Sequence, residues 1–184
     1  MEVGEAIRTR RSQRALASVE ITDEIMDKLM EAGELAPSCM NNQPWRYVFI
    51  RSPDRLKEIH RAFNRGNYWA ERASLVIVIF SKADHDCMIG DRIYYGFDTG
   101  LSASLIMLRA HDLGLVAHPF AGYKPEIARE ILDIPEDMTI VAMIGIGRHA
   151  DNPREILKEH HWEDEEVRPV RADRDQIFFI DRVM

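Results

Sequence analysis

The stretch Leu75-Val76-Ile77-Val78-Ile79-Phe80 limits the fold more than any other. Six apolar residues run without polar alternation, mostly β-branched, as in a strand buried on both faces. Such a strand is central to a sheet. Three further runs read as its neighbours: Trp45 to Ile50, Leu115 to Phe120, and Thr139 to Gly145. A last apolar run, Ile177-Phe178-Phe179-Ile180, is expected to add a strand near the C-terminus.

Helical patterns separate these runs. Residues 2 to 9 predict a short helix with Val3, Ala6 and Ile7 on one side. Thr22 is placed to cap a second helix with Asp23 and Glu24 in its first turn, ending at Pro37. Pro53-Asp54 opens a third, with Leu56, Ile59 and Phe63 as its stripe, and Pro125 opens another that runs through Leu132. The longest stretch, Ile93 to Asp112, carries Phe97, Leu101, Leu105 and Leu108 at helical spacing. Gly100, Ser102, Ala103 and Ser104 lie between them, small enough for close packing at a subunit interface. The order predicts an α+β fold, with one sheet of four to five strands flanked by helices, over a single domain 1–184.

The charge balance excludes some functions. Against 24 Lys+Arg stand 31 Asp+Glu, a net charge of −7, so a nucleic-acid backbone is not an expected partner. No run is long enough to span a membrane. Cys39 and Cys87 are too few for a secreted disulfide framework, no disulfide is needed to hold a chain of this size, and Met1 to Glu5 lacks a signal-peptide pattern; a reducing cytoplasm is the expected location. Cys39 reads as a small buried side chain. His85-Asp86-Cys87 reads as a polar loop and not a metal site, and Glu163-Asp164-Glu165-Glu166 as a solvated acidic run. Gly145-Ile146-Gly147 lacks the third glycine of a dinucleotide fold and follows the last core strand, not the first.

Against this acidic background, Arg10-Arg11-Ser12-Gln13-Arg14 stands out. Guanidinium forks pair bidentately with phosphate or carboxylate, and the serine hydroxyl can add one donor. Some two dozen residues later comes Ala36-Pro37-Ser38-Cys39-Met40-Asn41-Asn42-Gln43-Pro44-Trp45. Arg-Arg-Ser-x-Arg followed by Ala-Pro-Ser-x-x-Asn-x-Gln-Pro-Trp resembles the nitroreductase family of FMN-dependent oxidoreductases.

That resemblance implies a nitroreductase-like, mostly antiparallel sheet with a long dimer-interface helix, and FMN bound between two subunits. It implies that Arg10, Arg11, Ser12 and Arg14 hold FMN. Arg10 and Ser12 would meet the phosphate and ribityl end and Arg14 the pyrimidine edge, where a cation favours reduction. Pro37, Ser38, Met40 and Asn41 would reach the cofactor from the partner subunit. Pro119, Phe120, Ala121 and Gly122 would bring backbone N–H groups to the flavin edge, although Ala121 stands where the family commonly has glycine. One further basic residue would meet the phosphate, Arg148 first, with Arg154 and Lys158 as alternatives. Tyr94, Tyr95 and Phe97, in or beside the variable cover loop Lys82 to Tyr95, are candidates to lie over the flavin or to pack in the core.

The implied activity is electron transfer from NAD(P)H through flavin N5 to a nitroaromatic, quinone or similar small-molecule acceptor, in ping-pong order. The implied alternatives are a flavin-binding or storage protein with little turnover, and a dehydrogenase, deiodinase or flavin-destructase relative. The cover loop is too short for a deiodinase-type lid. No protein side chain is expected to act as a catalytic base, and no metal is expected.

Overall fold

The structure is a computed structural model that describes residues 1–183. The chain begins with α1 (Val3–Thr9), passes through the arginine turn to a two-residue strand β1 (Leu16–Ala17), and enters α2 (Asp23–Glu34). The polar loop then leads to β2 (Arg46–Ile50), α3 (Pro53–Ile59), a run of 3-10 turns to Arg72, and β3 (Leu75–Ser81). A short hairpin, β4 (Met88–Ile89) and β5 (Arg92–Ile93), precedes the long helix α4 (Tyr95–Asp112). After it come β6 (Val116–Phe120), α5 (Pro125–Leu132) and β7 (Thr139–His149). The tail carries α6 (Pro153–Ile156), α7 (Trp162–Glu166) and α8 (Arg174–Ile177).

β7 is the hub of the sheet. Gly145 pairs with Val76 of β3 on one edge and with His118 of β6 on the other. Further along, Arg148 and His149 pair with Ala17 and Leu16 of β1, and β2 completes the far side by pairing with β3. Every one of these ladders is antiparallel. The six-residue apolar run does bury both faces of β3. Val76 and Val78 pack with Trp69, Phe63, Phe120 and Met143, whereas Leu75, Ile77 and Ile79 pack with Leu29, Ile106, Ile144 and Ile146. That alternation explains the lack of polar residues in the strand.

α2 is capped as its sequence predicts: the Thr22 side chain accepts the Ile25 N–H. It crosses α4 where Gly33 leaves no room for a Cβ, which would lie 2.8 Å from Ile106 Cδ1. The Ser102 hydroxyl, accepting from Tyr47, donates to the Gly33 carbonyl at the same crossing.

Three readings from the sequence need correction. Ile177 to Ile180 forms no strand: Ile177 ends α8, and Phe178, Phe179 and Ile180 are exposed with no ladder beside them. In α1 only Ala6 is buried, while Val3 and Ile7 face outward. Cys39 and Cys87 are not independent; they form a disulfide with Cα atoms 6.0 Å apart, within the usual bridging range.

The turn after β6 depends on a glycine without using its torsional freedom. The Gly122 carbonyl accepts from the Asn64 backbone and from Asn67 Nδ2, and a Cβ at Gly122 would fall 2.4 Å from that same Nδ2. Gly122→Ala should expel the Asn67 amide and cost about 1–3 kcal/mol. Urea denaturation of the variant checks this, and a midpoint equal to that of the parent would contradict it.

Candidate functional site

The arginine turn is held from behind by a carboxylate that the sequence reading placed in solvent. Glu165, in α7, is 2% exposed. Its two oxygens accept the backbone N–H groups of Arg14 (2.7 Å) and Ala15 (3.1 Å), and Oε1 also meets His149 Nε2 at 2.9 Å. Arg11 completes the attachment by donating to the carbonyls of Asp164 and Glu166. The acidic run is thus the clamp on the turn. Its composition gave no hint of this, because the partner N–H groups lie some 150 residues away in sequence.

With Arg11 so engaged, a different set of cations faces the cleft. A cavity of about 190 Å³ is lined by Arg10, Arg11, Ser12, Arg14, His118, Asp164, Arg168, Pro169 and Arg171. Arg10 Nη1 donates to Ser12 Oγ at 3.1 Å, and Arg168 Nη2 donates to the carbonyls of Arg8 and Arg10 at 2.9 and 2.8 Å. Arg14 is balanced by Asp164 at 3.6 Å. Among the described residues, Arg10, Arg168 and Arg171 have no carboxylate partner. Burial, followed by the charges of Arg168 and Arg171, lowers the Arg10 pKa. Three guanidiniums without carboxylate partners and a hydroxyl carry the chemistry that pairs with an anion.

Arg168 and Arg171 were not picked from the sequence, although the expected late basic contact pointed to this part of the chain. The structure does not bring Arg148, Arg154 or Lys158 into the cleft. Arg148 pairs with Asp151, Arg154 pairs with Glu166 and lies over Trp162, and Lys158 lies over the Tyr68 ring. Each is occupied locally.

His118 forms one wall. It is 9% exposed, packs against Trp69 with ring centres 4.3 Å apart and the planes tilted by 40°, and its Nδ1 lies 3.1 Å from the Gln13 carbonyl. Burial first, then the charges of Arg14 and Arg10, lower its pKa to about 4, against the opposing pull of the Gln13 carbonyl and Glu165. The ring is therefore neutral at pH 7. Since Gln13 offers only an acceptor, Nδ1 carries the proton and Nε2 is left as an acceptor.

A histidine held down in the fold is protonated more readily in the unfolded chain. Its contribution is complete above about pH 6.5 and is lost as pH falls toward 4, amounting to about 3 kcal/mol. His118→Gln should remove this part, so the parent-minus-variant stability difference, read by denaturation at pH 7 and pH 4.5, should narrow at the lower pH. A difference independent of pH would contradict it.

The segment Pro119 to Gly122 continues from His118. Pro119 and Ala121 are exposed, Gly122 is half-buried, and Phe120 points into the core, edge-on to Phe63 and Trp69. None of the four lines the arginine cavity.

The polar loop lies in a separate place. Met40, Asn41 and Gln43 all have positive φ, at 49°, 58° and 48°, a conformation disfavoured for residues with side chains. It is held by Ser38 Oγ accepting the Gln43 N–H (2.9 Å) and by Asp98 Oδ2 accepting the Cys39 N–H (2.6 Å). Pro37, Ser38 and Cys39 line a shallow cavity with Tyr94, Phe97, Asp98 and Leu101, which shares no residue with the arginine cavity. Met40 is 88% exposed at the loop tip and Phe97 65% exposed beside it. Within one chain the two motifs therefore line separate cavities.

The fold is α+β, with an arginine-lined cavity and a strained polar loop presented outward. Residues 7–67, which span both motifs, match the model of the Nitroreductase family. A protein of Methanothermobacter thermautotrophicus, provisionally named NADH dehydrogenase/NAD(P)H nitroreductase, is 30% identical over 158 residues, covering 83% of this chain and 80% of that one. A protein of Archaeoglobus fulgidus with the same provisional name is 28% identical over 178 residues, covering 92% and 95%. A crystal structure described as an oxidoreductase containing FMN superposes with a TM-score of 0.86 at 27% identity, over 100% of this chain and 94% of that one. The chain belongs to the nitroreductase family.

Proposed function

We propose that the chain is an FMN-dependent oxidoreductase that takes reducing equivalents from NAD(P)H and passes them to a small oxidised acceptor such as a nitroaromatic or a quinone. The observation that carries this reading is the set of guanidiniums at Arg10, Arg168 and Arg171, unpaired with carboxylates in an acidic protein. A phosphate monoester fits that set in charge, and the names of the similar proteins speak of FMN and of NAD(P)H. Bound there, FMN supplies hydride and electron transfer between a nicotinamide donor and the acceptor, which would use one open face in turn.

The chain's own residues bind, orient and screen. Arg10, Ser12, Arg168 and Arg171 would hold the phosphate; Arg14, partly balanced by Asp164, sets a moderated positive potential beside it. Neutral His118, fixed by Gln13 and backed by Trp69, offers an acceptor nitrogen without adding positive charge. The whole chain would serve as one flavin-binding domain, with Pro37, Ser38, Met40 and Asn41 completing the site of a second copy. The separation of the two half-sites within one chain and the exposed Val3, Ile7, Met40 and Phe97 support a homodimer. Arg148 has no part in this assignment.

The test is anaerobic addition of NADH or NADPH to the purified flavin-loaded protein, followed by an acceptor. Bleaching of the visible flavin bands, then their return with menadione or nitrofurazone, is the expected result. Bands that persist under both donors would overturn the nicotinamide-linked activity.

A further inference from the structure

Two loops that the fold could have left independent are joined covalently. Cys39 sits in the strained polar loop, and Cys87 sits at the foot of the β4–β5 hairpin, 48 residues later. Both are half-buried. Few other contacts fix the hairpin: Met88, Ile89, Arg92 and Ile93 are all exposed. The sulfurs lie beside a pair of buried carboxyl groups. Asp98 is 3% exposed and Asp86 is 9% exposed, and Asp98 Oδ2 accepts the Cys39 N–H at 2.6 Å. Asp86 Oδ1 accepts the Cys87 N–H at 2.8 Å and faces Asn42 Nδ2 at 3.4 Å, while its Oδ2 is fully buried with no donor. A carboxylate oxygen of Asp86 lies within 4.8 Å of both sulfurs.

We propose that Cys39–Cys87 is a thiol–disulfide exchange site, with Asp98 as its proton source, and that its reduction by a dithiol releases the β4–β5 hairpin from the polar loop. The dithiol's first thiolate bonds to the Cys87 sulfur as the Cys39–Cys87 bond breaks. The electron pair leaves on Cys39, which takes a proton from the Asp98 carboxyl. The second thiolate of the reductant then displaces Cys87 and closes the reductant's own disulfide. Cys87 takes its proton from solvent, as Asp98 does to recover its own; in net, two electrons pass from the dithiol to the cystine, and the two protons the dithiol released to solvent balance the two taken up.

Several features suit this chemistry. The cystine is within reach of solvent, whereas structural cystines are commonly enclosed in a core. Burial raises the Asp98 pKa, with the neighbouring Asp86 adding to the shift and the Cys39 N–H opposing it, so a proton is held there at higher pH than usual. Asn42 Nδ2 lies 3.5 Å from Cys87 Sγ, where it can donate to a developing thiolate. His85, next in the chain to Asp86, has its Nδ1 buried without a partner and is the nearest further titratable side chain in the sequence of this loop. Thiol exchange needs no flavin, so its readout is separate from that of the proposed oxidoreductase activity.

The experiment uses the purified, folded protein at pH 7, incubated with mixtures of reduced and oxidised dithiothreitol, then alkylated and weighed intact. The expected result is a reversible change between zero and two alkylated thiols per chain with an unchanged circular dichroism spectrum. In parallel, trypsin should cleave after Arg92 at least about tenfold faster in the reduced protein and in Cys39→Ser, as a freed hairpin opens more often. Asp98→Asn, which keeps an oxygen for the Cys39 N–H, should slow reduction by about tenfold or more and flatten its pH profile. A cystine reduced only after unfolding would overturn the proposal. So would two thiols that never pair, or that hold a stoichiometric metal ion. Equal cleavage in both states would remove the release step, and an unchanged rate in Asp98→Asn would remove the proton source.

Discussion

Replacing Arg10 with alanine is expected to weaken FMN binding by roughly 10- to 150-fold while changing fold stability by no more than about 0.5 kcal/mol. The range follows from losing charge-assisted hydrogen bonds worth about 1.5–3 kcal/mol. The small effect on the fold follows from the surroundings of Arg10. Among the described residues its only side-chain bond goes to Ser12, and the neighbouring charges of Arg168 and Arg171 repel it. Removing it relieves that repulsion as it removes the bond. Arg168 differs, because its guanidinium also fastens the carbonyls of Arg8 and Arg10. Arg168→Ala should therefore lower both flavin affinity and the melting temperature. Equilibrium dialysis against FMN, beside thermal melts of the flavin-free proteins, separates the two variants. Full flavin retention in Arg10→Ala would contradict the placement of the phosphate.

The second large effect is expected at Glu165. Glu165→Ala strips the acceptor from two backbone N–H groups, one on the fully buried Ala15, and leaves a cavity where a carboxylate stood. Each buried donor left unsatisfied costs about 1–3 kcal/mol, so a total loss of about 3 kcal/mol or more is predicted, or roughly 10 °C in melting temperature for a chain of this size. Flavin affinity should fall with it, since the arginine turn loses its clamp. Glu165→Gln retains one acceptor oxygen and should lie between the two. A melting temperature for Glu165→Ala within 2–3 °C of the parent, a margin of about 1 kcal/mol, would show that the turn is held by other means.

Much of the fold was legible because its signals are local. The β3 run, the Thr22 cap, the proline starts of α3 and α5, and the spacing of α4 each reflect chemistry within a few residues. The apolar run Ile177 to Ile180 misled because a strand also needs an edge to pair with, and none stands beside it. Glu165 and the cystine were hidden for a related reason. A glutamate in an acidic run looks solvated until its donors are seen, and two cysteines 48 residues apart carry no sign that loops bring them together.

The candidate site was legible in halves. Arg10, Ser12 and Arg14 do line one cavity, and the Pro37 to Asn41 loop does form an outward-facing strained turn. Arg11 lines the same cavity and also donates to two carbonyls of the tail. The late arginines that line the cavity, Arg168 and Arg171, lie further along than any sequence candidate. An arginine's availability depends on whether a carboxylate sits nearby: Arg148 and Arg154 have one, whereas Arg168 and Arg171 do not. His118 was read only as part of a strand, and its place in the cavity follows from the register of β6 on β7.

The most direct measurement is a pair of fluorescence titrations of the flavin-free protein, one with FMN and one with riboflavin, which lacks the phosphate. If Arg10, Arg168 and Arg171 hold the phosphate, FMN binds about 100-fold tighter or more, and that preference shrinks sharply in Arg10→Ala. Equal affinities for the two flavins, or no binding of either, would contradict the account.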